Sequence, residues 1–210
     1  LHLLSRRQRQ MCIRDRTITE QKAAQRKAGI AARRALSDTQ RTHSNAALCA
    51  RIMALDCFKK AENILLYAAF GGEADLSALA VEAARQGKTP AYPVCGEGFS
   101  LTAAVPGPGG WEVGAYGIRT PILSRSEILR PDQLDLVLVP CTAFDTACRR
   151  VGMGKGYYDR YLPRCTRAVK LGAAFEAQRV DKAAVDAHDE TLDGFVTEGG
   201  LYFGFDTTEL

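Results

Sequence analysis

Apolar residues in this chain come in short, nearly unbroken runs of strand length, and that spacing constrains its fold more than any other feature. Asn63 to Phe70 and Leu134 to Val139 each read as a buried strand, far shorter than the ~18 apolar residues a membrane-spanning helix needs. Ala168 to Phe175 and Gly194 to Glu198 read as further strands. Thr89 to Val94 and Phe99 to Val105 read as a strand pair joined by the tight turn Cys95-Gly-Glu-Gly98, followed by a loop at Pro106 to Gly110. Helical patterns lie between these runs. Thr17-Ile-Thr-Glu20 reads as a capping box opening a basic, Ala-rich helix to about Leu36. Ser37-Asp-Thr-Gln40 reads as a second, opening a helix to about Asp56 with Leu48, Ile52 and Leu55 on one face. Asp75 caps a helix to Gln86, which Gly87 terminates. Strands alternating with helices predict an α/β layered fold, a mostly parallel central sheet flanked by helices, within a single domain over residues 17–205.

Charge narrows the partners. Arg6, Arg7, Arg9, Arg14 and Arg16 against Asp15 account for the whole net charge of +4, so the rest of the chain is electrically balanced and carries no basic footprint for nucleic acid. That opening segment, residues 1–16, has no long apolar stretch and no small-residue cleavage site, and reads as a non-native or disordered extension. Seven cysteines without a C-x-x-C pair, and three histidines at 2, 43 and 188, give no zinc spacing and no ready Cys-His nucleophile. The expectation is a cytoplasmic, monomeric protein with free thiols, acting on small molecules, with no nucleic acid and no membrane as partner.

In parallel sheets ligands sit beyond the carboxyl ends of strands, so the loop after Val139 is the first place to look for chemistry. It holds Arg149-Arg-Val-Gly-Met-Gly-Lys-Gly-Tyr-Tyr-Asp159. Glycines let backbone N–H groups converge on an anion, Lys155 adds a point charge, and a helix starting near Tyr157 points its positive dipole end the same way. The pattern is a phosphate cradle of neither common kind. A Walker A loop needs Gly at 149 and Ser or Thr at 156, and a dinucleotide fingerprint needs a small residue at 157. Asp159, one helical turn from Lys155, is placed to hold a divalent metal against phosphates.

Arg150-Val-Gly-Met-Gly-Lys-Gly-Tyr-Tyr-Asp-Arg160, after Leu136-Val-Leu-Val-Pro-Cys-Thr-Ala-Phe-Asp145, closely resembles the signature of the 5-formyltetrahydrofolate cyclo-ligase (5,10-methenyltetrahydrofolate synthetase) family. Lys22-Ala-Ala-Gln-Arg26 resembles that family's N-terminal K-x-x-x-R. Tyr67-Ala-Ala-Phe-Gly-Gly-Glu73 resembles its strand ending in a substrate-binding glutamate, and His188-Asp-Glu-Thr-Leu-Asp193 with Phe195-Val-Thr-Glu198 its metal-aspartate region. Two departures stand out: Cys148 occupies a position where glycine is usual, and Cys141-Thr142 replaces a smaller, Gly-containing pair.

The resemblance implies an enzyme that uses ATP as co-substrate and Mg²⁺ to cyclise 5-formyltetrahydrofolate to 5,10-methenyltetrahydrofolate, releasing ADP and phosphate through a phosphorylated formyl group. It implies Lys155 and Arg150 as catalytic, and Lys22, Arg26, Arg150, Val151, Gly152, Met153, Gly154, Lys155, Gly156, Tyr157 and Tyr158 as ATP-binding. Glu73 and Ala68, with Gly154 to Tyr157, would bind the folate, and Asp159 and Asp189 the metal. Plainer readings stand beside these. Lys22 and Arg26 are also a solvated basic pair, Glu73 also precedes a helix cap, Asp189 also caps a turn, and Tyr157, Tyr158, Trp111 and Tyr116 are also packing aromatics. A paralogue acting on another formyl or carboxyl substrate, and a non-catalytic nucleotide-binding module, are the rival functions.

Overall fold

The computed structural model describes residues 6–114 and 117–204, with backbone alone for 6–16. The N-terminal half carries helices α1 (Arg6–Ala35), α2 (Asp38–Ala54) and α3 (Asp56–Lys60), strand β1 (Asn63–Leu65) and helix α4 (Ser77–Arg85). Strands β2 (Thr89–Cys95), β3 (Leu101–Pro106), β4 (Trp111–Val113), β5 (Arg119–Pro121) and β6 (Ser126–Leu129) follow. Then come β7 (Leu136–Pro140), β8 (Ala143–Phe144), β9 (Arg150–Val151), helix α5 (Tyr157–Tyr161), β10 (Val169–Ala173), β11 (Gly194–Val196) and β12 (Leu201–Phe203).

Eight strands form one sheet in the order β12-β11-β10-β7-β1-β2-β3-β6. The five from β11 to β2 pair in parallel, while β12, β3 and β6 add antiparallel edges. Both faces are covered, as a parallel sheet requires. Ile64, Leu136, Leu138 and Leu171 face one side with Leu48, Ile52 and Phe58 of α2 and α3 and Leu79 of α4. Leu65, Val137, Val139 and Phe195 face the other with Tyr161 and Leu162 at the end of α5. Period-2 alternation in the short strands thus feeds two separate cores.

Local signals explain most element ends. Ser37 accepts from the Gln40 N–H (3.2 Å) and Gln40 returns the bond to the Ser37 N–H (2.9 Å), a complete capping box at the start of α2. Past α4, the Gly87 N–H bonds Ala84 and the Lys88 N–H bonds Ala83 (both 3.0 Å), the paired closure expected of a glycine at C′. Asp75 sits one residue before the N-cap and accepts from the Ser77 N–H (2.9 Å).

Two expectations are corrected. α1 runs unbroken from Arg6 to Ala35, so Thr17 to Glu20 lies inside the helix and is not its start; a capping box has the same side-chain grammar as a mid-helix stretch with no breaker before it. The run Asn63 to Phe70 pairs as a strand over Asn63–Leu65 alone. The Leu66 N–H still donates to the Ala91 carbonyl of β2 (2.8 Å), and beyond it the buried Tyr67 leaves the ladder and turns its hydroxyl to the Ala74 carbonyl (2.9 Å). Apolar content reports burial, not pairing.

α1 crosses the carboxyl-terminal ends of the central strands, touching β8, β9 and the turn at Glu176–Gln178. The crossing is close at Gly29, where any Cβ would overlap the Thr142 carbonyl. Gly29→Ala is therefore expected to destabilise the fold by about 1 to 3 kcal/mol through overpacking, although alanine is otherwise the better helix former by ~1 kcal/mol. Thermal unfolding checks this, at roughly 2 to 4 °C of Tm per kcal/mol; an unchanged or raised Tm would show that α1 is not seated as described.

Candidate functional site

The glycine-rich segment is held by a rigid turn. After β7 the chain forms the β8–β9 hairpin, whose turn is organised by the fully buried Asp145. That carboxylate accepts from the Ala147, Arg149 and Ala183 N–H groups at 2.8 to 3.1 Å and pairs with Arg149 at 2.7 Å. The Thr142 N–H and hydroxyl both donate to the Val151 carbonyl (2.8 and 2.7 Å), which uses up that acceptor, and the Val151 side chain packs with Ala143 and Ala183. The chain then opens into the loop Gly152 to Gly156, with Gly154 at φ +93° and Gly156 at φ +67°, backbone that side-chain-bearing residues rarely adopt. Met153 and Lys155 stand exposed at its tip.

α1 supplies the cations. The Arg26 Nε donates to the Gly152 carbonyl (2.9 Å), and its guanidinium lies directly against Gly154. Lys22 contacts Asp189 (2.5 Å) and Asp186 (2.6 Å). Desolvation lowers the Lys22 pKa, but its hydrogen bonds to the two aspartates outweigh that and leave it raised. The Lys22 ammonium and the His188 N–H hold the Asp186 carboxyl below its usual range. Arg150, almost fully buried, bonds Asp159 at 2.7 Å, and the same carboxylate oxygen accepts from the Glu190 N–H (3.2 Å). Lys22, Arg26, the loop, Arg150, Asp159 and Asp189 thus form one connected cluster.

Glu73 lies at the end of the loop after β1, with Ala68 half-buried earlier on that loop. One Glu73 oxygen accepts from the Phe70 N–H (3.1 Å) and the other is 3.6 Å from Arg33. Burial pushes the Glu73 pKa up, and the Arg33 charge and the Phe70 N–H offset part of that. Tyr157, expected at the ATP and folate site with packing as the plainer reading, lies edge-on against Phe99 of the β2–β3 turn, and Trp111 lies edge-on against Tyr92. Tyr116 lies outside the described residues. His43 is exposed on α2. Burial pushes the Cys141 thiol up to about 12 and Cys148 up to about 11, so neither is a thiolate near neutral pH.

The donor set fits a nucleotide with Mg²⁺. Arg150 Nε and the hydroxyls of Tyr158 and of Tyr161, the last within the second core, are buried without a hydrogen-bond partner among the described residues, which is costly unless something else satisfies them. Mg²⁺ is commonly held by one or two carboxylates plus phosphate oxygens. Asp159 and Asp189 offer that number, and no group of three acidic, His or Cys side chains gathers among the described residues to cage a metal unaided.

Sequence reasoning missed Arg33 and Asp186. Arg33 had a readable signal: Lys22, Arg26, Gly29 and Arg33 follow i, i+4, i+7, i+11 and line one face of α1. Asp186 had none, because nothing local separates it from other loop aspartates.

The sheet order, the helix across the strand ends and the glycine-rich loop define an α/β fold with a candidate anion-binding loop at the carboxyl edge of its sheet, and the architecture matches solved relatives. A 5,10-methenyltetrahydrofolate synthetase from Aquifex aeolicus superposes with a TM-score of 0.78 at 33% identity, covering 90% of this chain and 95% of that one. One from Mycoplasma pneumoniae superposes at 0.70 with 24% identity over 84% of this chain and 98% of that one, a likeness of fold. Residues 18–198 match the 5-formyltetrahydrofolate cyclo-ligase family, and the chain belongs to it. The 5-formyltetrahydrofolate cyclo-ligase of Escherichia coli K12 is 29% identical over 81% of this chain and 96% of its own length.

Cys148, where the resemblance to the family signature leads to the expectation of glycine, takes φ +60°. This is left-handed backbone that favours glycine, and the cysteine bears the strain, about 1 to 2 kcal/mol. Its Sγ lies 3.6 Å from the Tyr202 carbonyl. Cys148→Gly relieves the backbone while losing a small buried side chain, so its stability in denaturant unfolding is expected within about 1 kcal/mol of the parent. Cys148→Ala keeps the strain and loses the sulfur, and should be the less stable of the two; the reverse order would mean the turn is not strained.

Proposed function

We propose that this chain closes 5-formyltetrahydrofolate to 5,10-methenyltetrahydrofolate at the expense of ATP, with Mg²⁺, releasing ADP and phosphate. The observation that carries the reading is the convergence of α1, the Gly152–Gly156 loop and the two aspartates at the carboxyl edge of the sheet, beside the Glu73 loop. An amide-like formyl oxygen leaves poorly. Transfer of the γ-phosphoryl group onto it makes it a phosphate leaving group; N10 then attacks the formyl carbon, loses its proton, and the original oxygen departs within inorganic phosphate.

The residues' tasks follow from that demand. The loop N–H groups and Lys155 steady the transferring phosphoryl group, and Lys22, Arg26 and Arg150 hold the rest of the triphosphate. Asp159 and Asp189 would hold Mg²⁺, which supplies charge neutralisation to the phosphates. Before nucleotide arrives, Lys22 with Asp189 and Arg150 with Asp159 neutralise one another, so cations and carboxylates stay compensated within a partly buried site. Glu73 accepts from the N–H groups of the pterin.

The direct test mixes protein, 5-formyltetrahydrofolate, ATP and Mg²⁺ and follows methenyl-folate absorbance. ATP-dependent product is expected; folded protein that binds ATP yet forms none would favour a paralogue with another substrate. Lys155→Ala is expected to lower rate or ATP affinity on the order of 10 to 150-fold, the worth of a charge-assisted hydrogen bond. The Asp159→Asn defect should be partly relieved by raising Mg²⁺, unlike that of Lys155→Ala. Wild-type kinetics in both would remove the phosphate-cradle assignment. The working unit is taken as residues 17–205, in line with the family match at 18–198; deleting residues 1–16 should leave activity unchanged, and lost activity would show that the extension belongs to the domain.

A further inference from the structure

Arg33 is the largest fully buried side chain among the described residues, 2% exposed, and a charged one. Burying a guanidinium is expensive unless its charge is met and its donors are used. Its Nε donates to the Gly71 carbonyl (3.1 Å) and Nη1 to the Cys141 carbonyl (3.4 Å), which ties α1 to the Glu73 loop and to the end of β7. Carbonyls use donors without cancelling charge. The carboxylate paired with Arg33 is Glu73, at 3.6 Å. Its other oxygen is taken by the Phe70 N–H at 3.1 Å, so two different elements fix the plane of the Glu73 carboxylate.

The other titratable groups facing Glu73 are Tyr67 from its own loop, Cys141 from the end of β7 and Tyr158 from α5. Burial raises the pKa of all three, so they are neutral near pH 7, with Arg150 beyond Cys141 and Tyr158. Burial alone drives Glu73 toward its protonated form, and the charge of Arg33 opposes that. The distinction matters for recognition. An ionised carboxylate accepts from two N–H donors side by side, whereas a protonated one offers a hydroxyl where an acceptor is needed.

We infer that Arg33 is a positioning residue that fixes both the orientation and the charge of Glu73, and through it the affinity for the pterin. The inference rests on the proposed reading of Glu73 as the pterin acceptor.

Calorimetric binding of 5-formyltetrahydrofolate from pH 6 to 8.5 tests it in the full-length chain, with a non-hydrolysable ATP analogue and the melting temperature as controls. Arg33→Met is expected to weaken folate binding several-fold at pH 6, where burial without the Arg33 charge favours the protonated carboxyl. The gap should close as rising pH ionises Glu73, with ATP-analogue affinity changed less than about twofold. Arg33→Lys, which keeps the charge and loses the fork, should restore most of the pH profile; if Arg33→Met does not fold, Arg33→Gln, neutral and still a hydrogen-bond donor, takes its place with the same pH-dependent loss of folate binding expected. Equal, pH-independent losses for both ligands would overturn the inference in favour of a purely structural arginine. So would wild-type folate binding by Arg33→Met while Glu73→Gln is defective. Normal folate binding by Glu73→Gln would instead overturn the pterin reading itself, and this inference with it.

Discussion

The contact on which the rest of this structure depends is the backbone-close crossing of α1 over the carbonyl of Thr142 at Gly29. Because no side chain stands between helix and loop, residues one turn to either side reach groups that an ordinary helix-on-sheet spacing would hold several ångströms away. Arg26 reaches the Gly152 carbonyl on one side and Arg33 the Cys141 carbonyl on the other. Gln178 donates to the same Cys141 carbonyl (2.9 Å) and to Thr142 (3.2 Å), so the backbone at the end of β7 is satisfied by side chains where the sheet no longer pairs it.

That crossing makes α1 an unusual helix. Its docking is polar: Gln25 donates to the Lys182 carbonyl and accepts from the Ala184 N–H, both at 2.8 Å, and Lys22 reaches the aspartates beyond. Such contacts give less stability per area than an apolar face. They place three cations along one edge of the active face in return. The sheet supplies stability through its two apolar faces, and the helix supplies charge, so the demands of folding and chemistry fall on different elements.

Charge is balanced locally throughout the site. Asp145 spends its capacity on a hairpin turn and Arg149, and takes no part in the cluster around the loop. Asp159 and Asp189 differ in that their partners, Arg150 and Lys22, face the same loop. A sequence shows six aspartates between positions 145 and 193 with nothing to tell a turn organiser from one paired with a cation beside the loop.

The edge strands β6 and β12 and the β4–β5 and β8–β9 hairpins were not legible in the chain alone, whereas the helices α1, α2 and α4, the five parallel strands with β3 beside them, the Ser37 capping box and the Gly87 stop were. Each is written in neighbouring residues through periodicity, capping or backbone freedom. The Lys22 and Arg26 pair and the Gly152 to Asp159 signature were likewise contiguous and readable. What only the tertiary structure decided involves residues far apart in sequence: that the strand at Asn63 stops at Leu65, that Lys22 meets Asp186 and Asp189, and that Arg33 lies buried against Glu73. Local patterns state what a residue can do, whereas pairing, charge compensation and burial depend on which distant group the fold brings within a few ångströms, and no short-range rule encodes that distance.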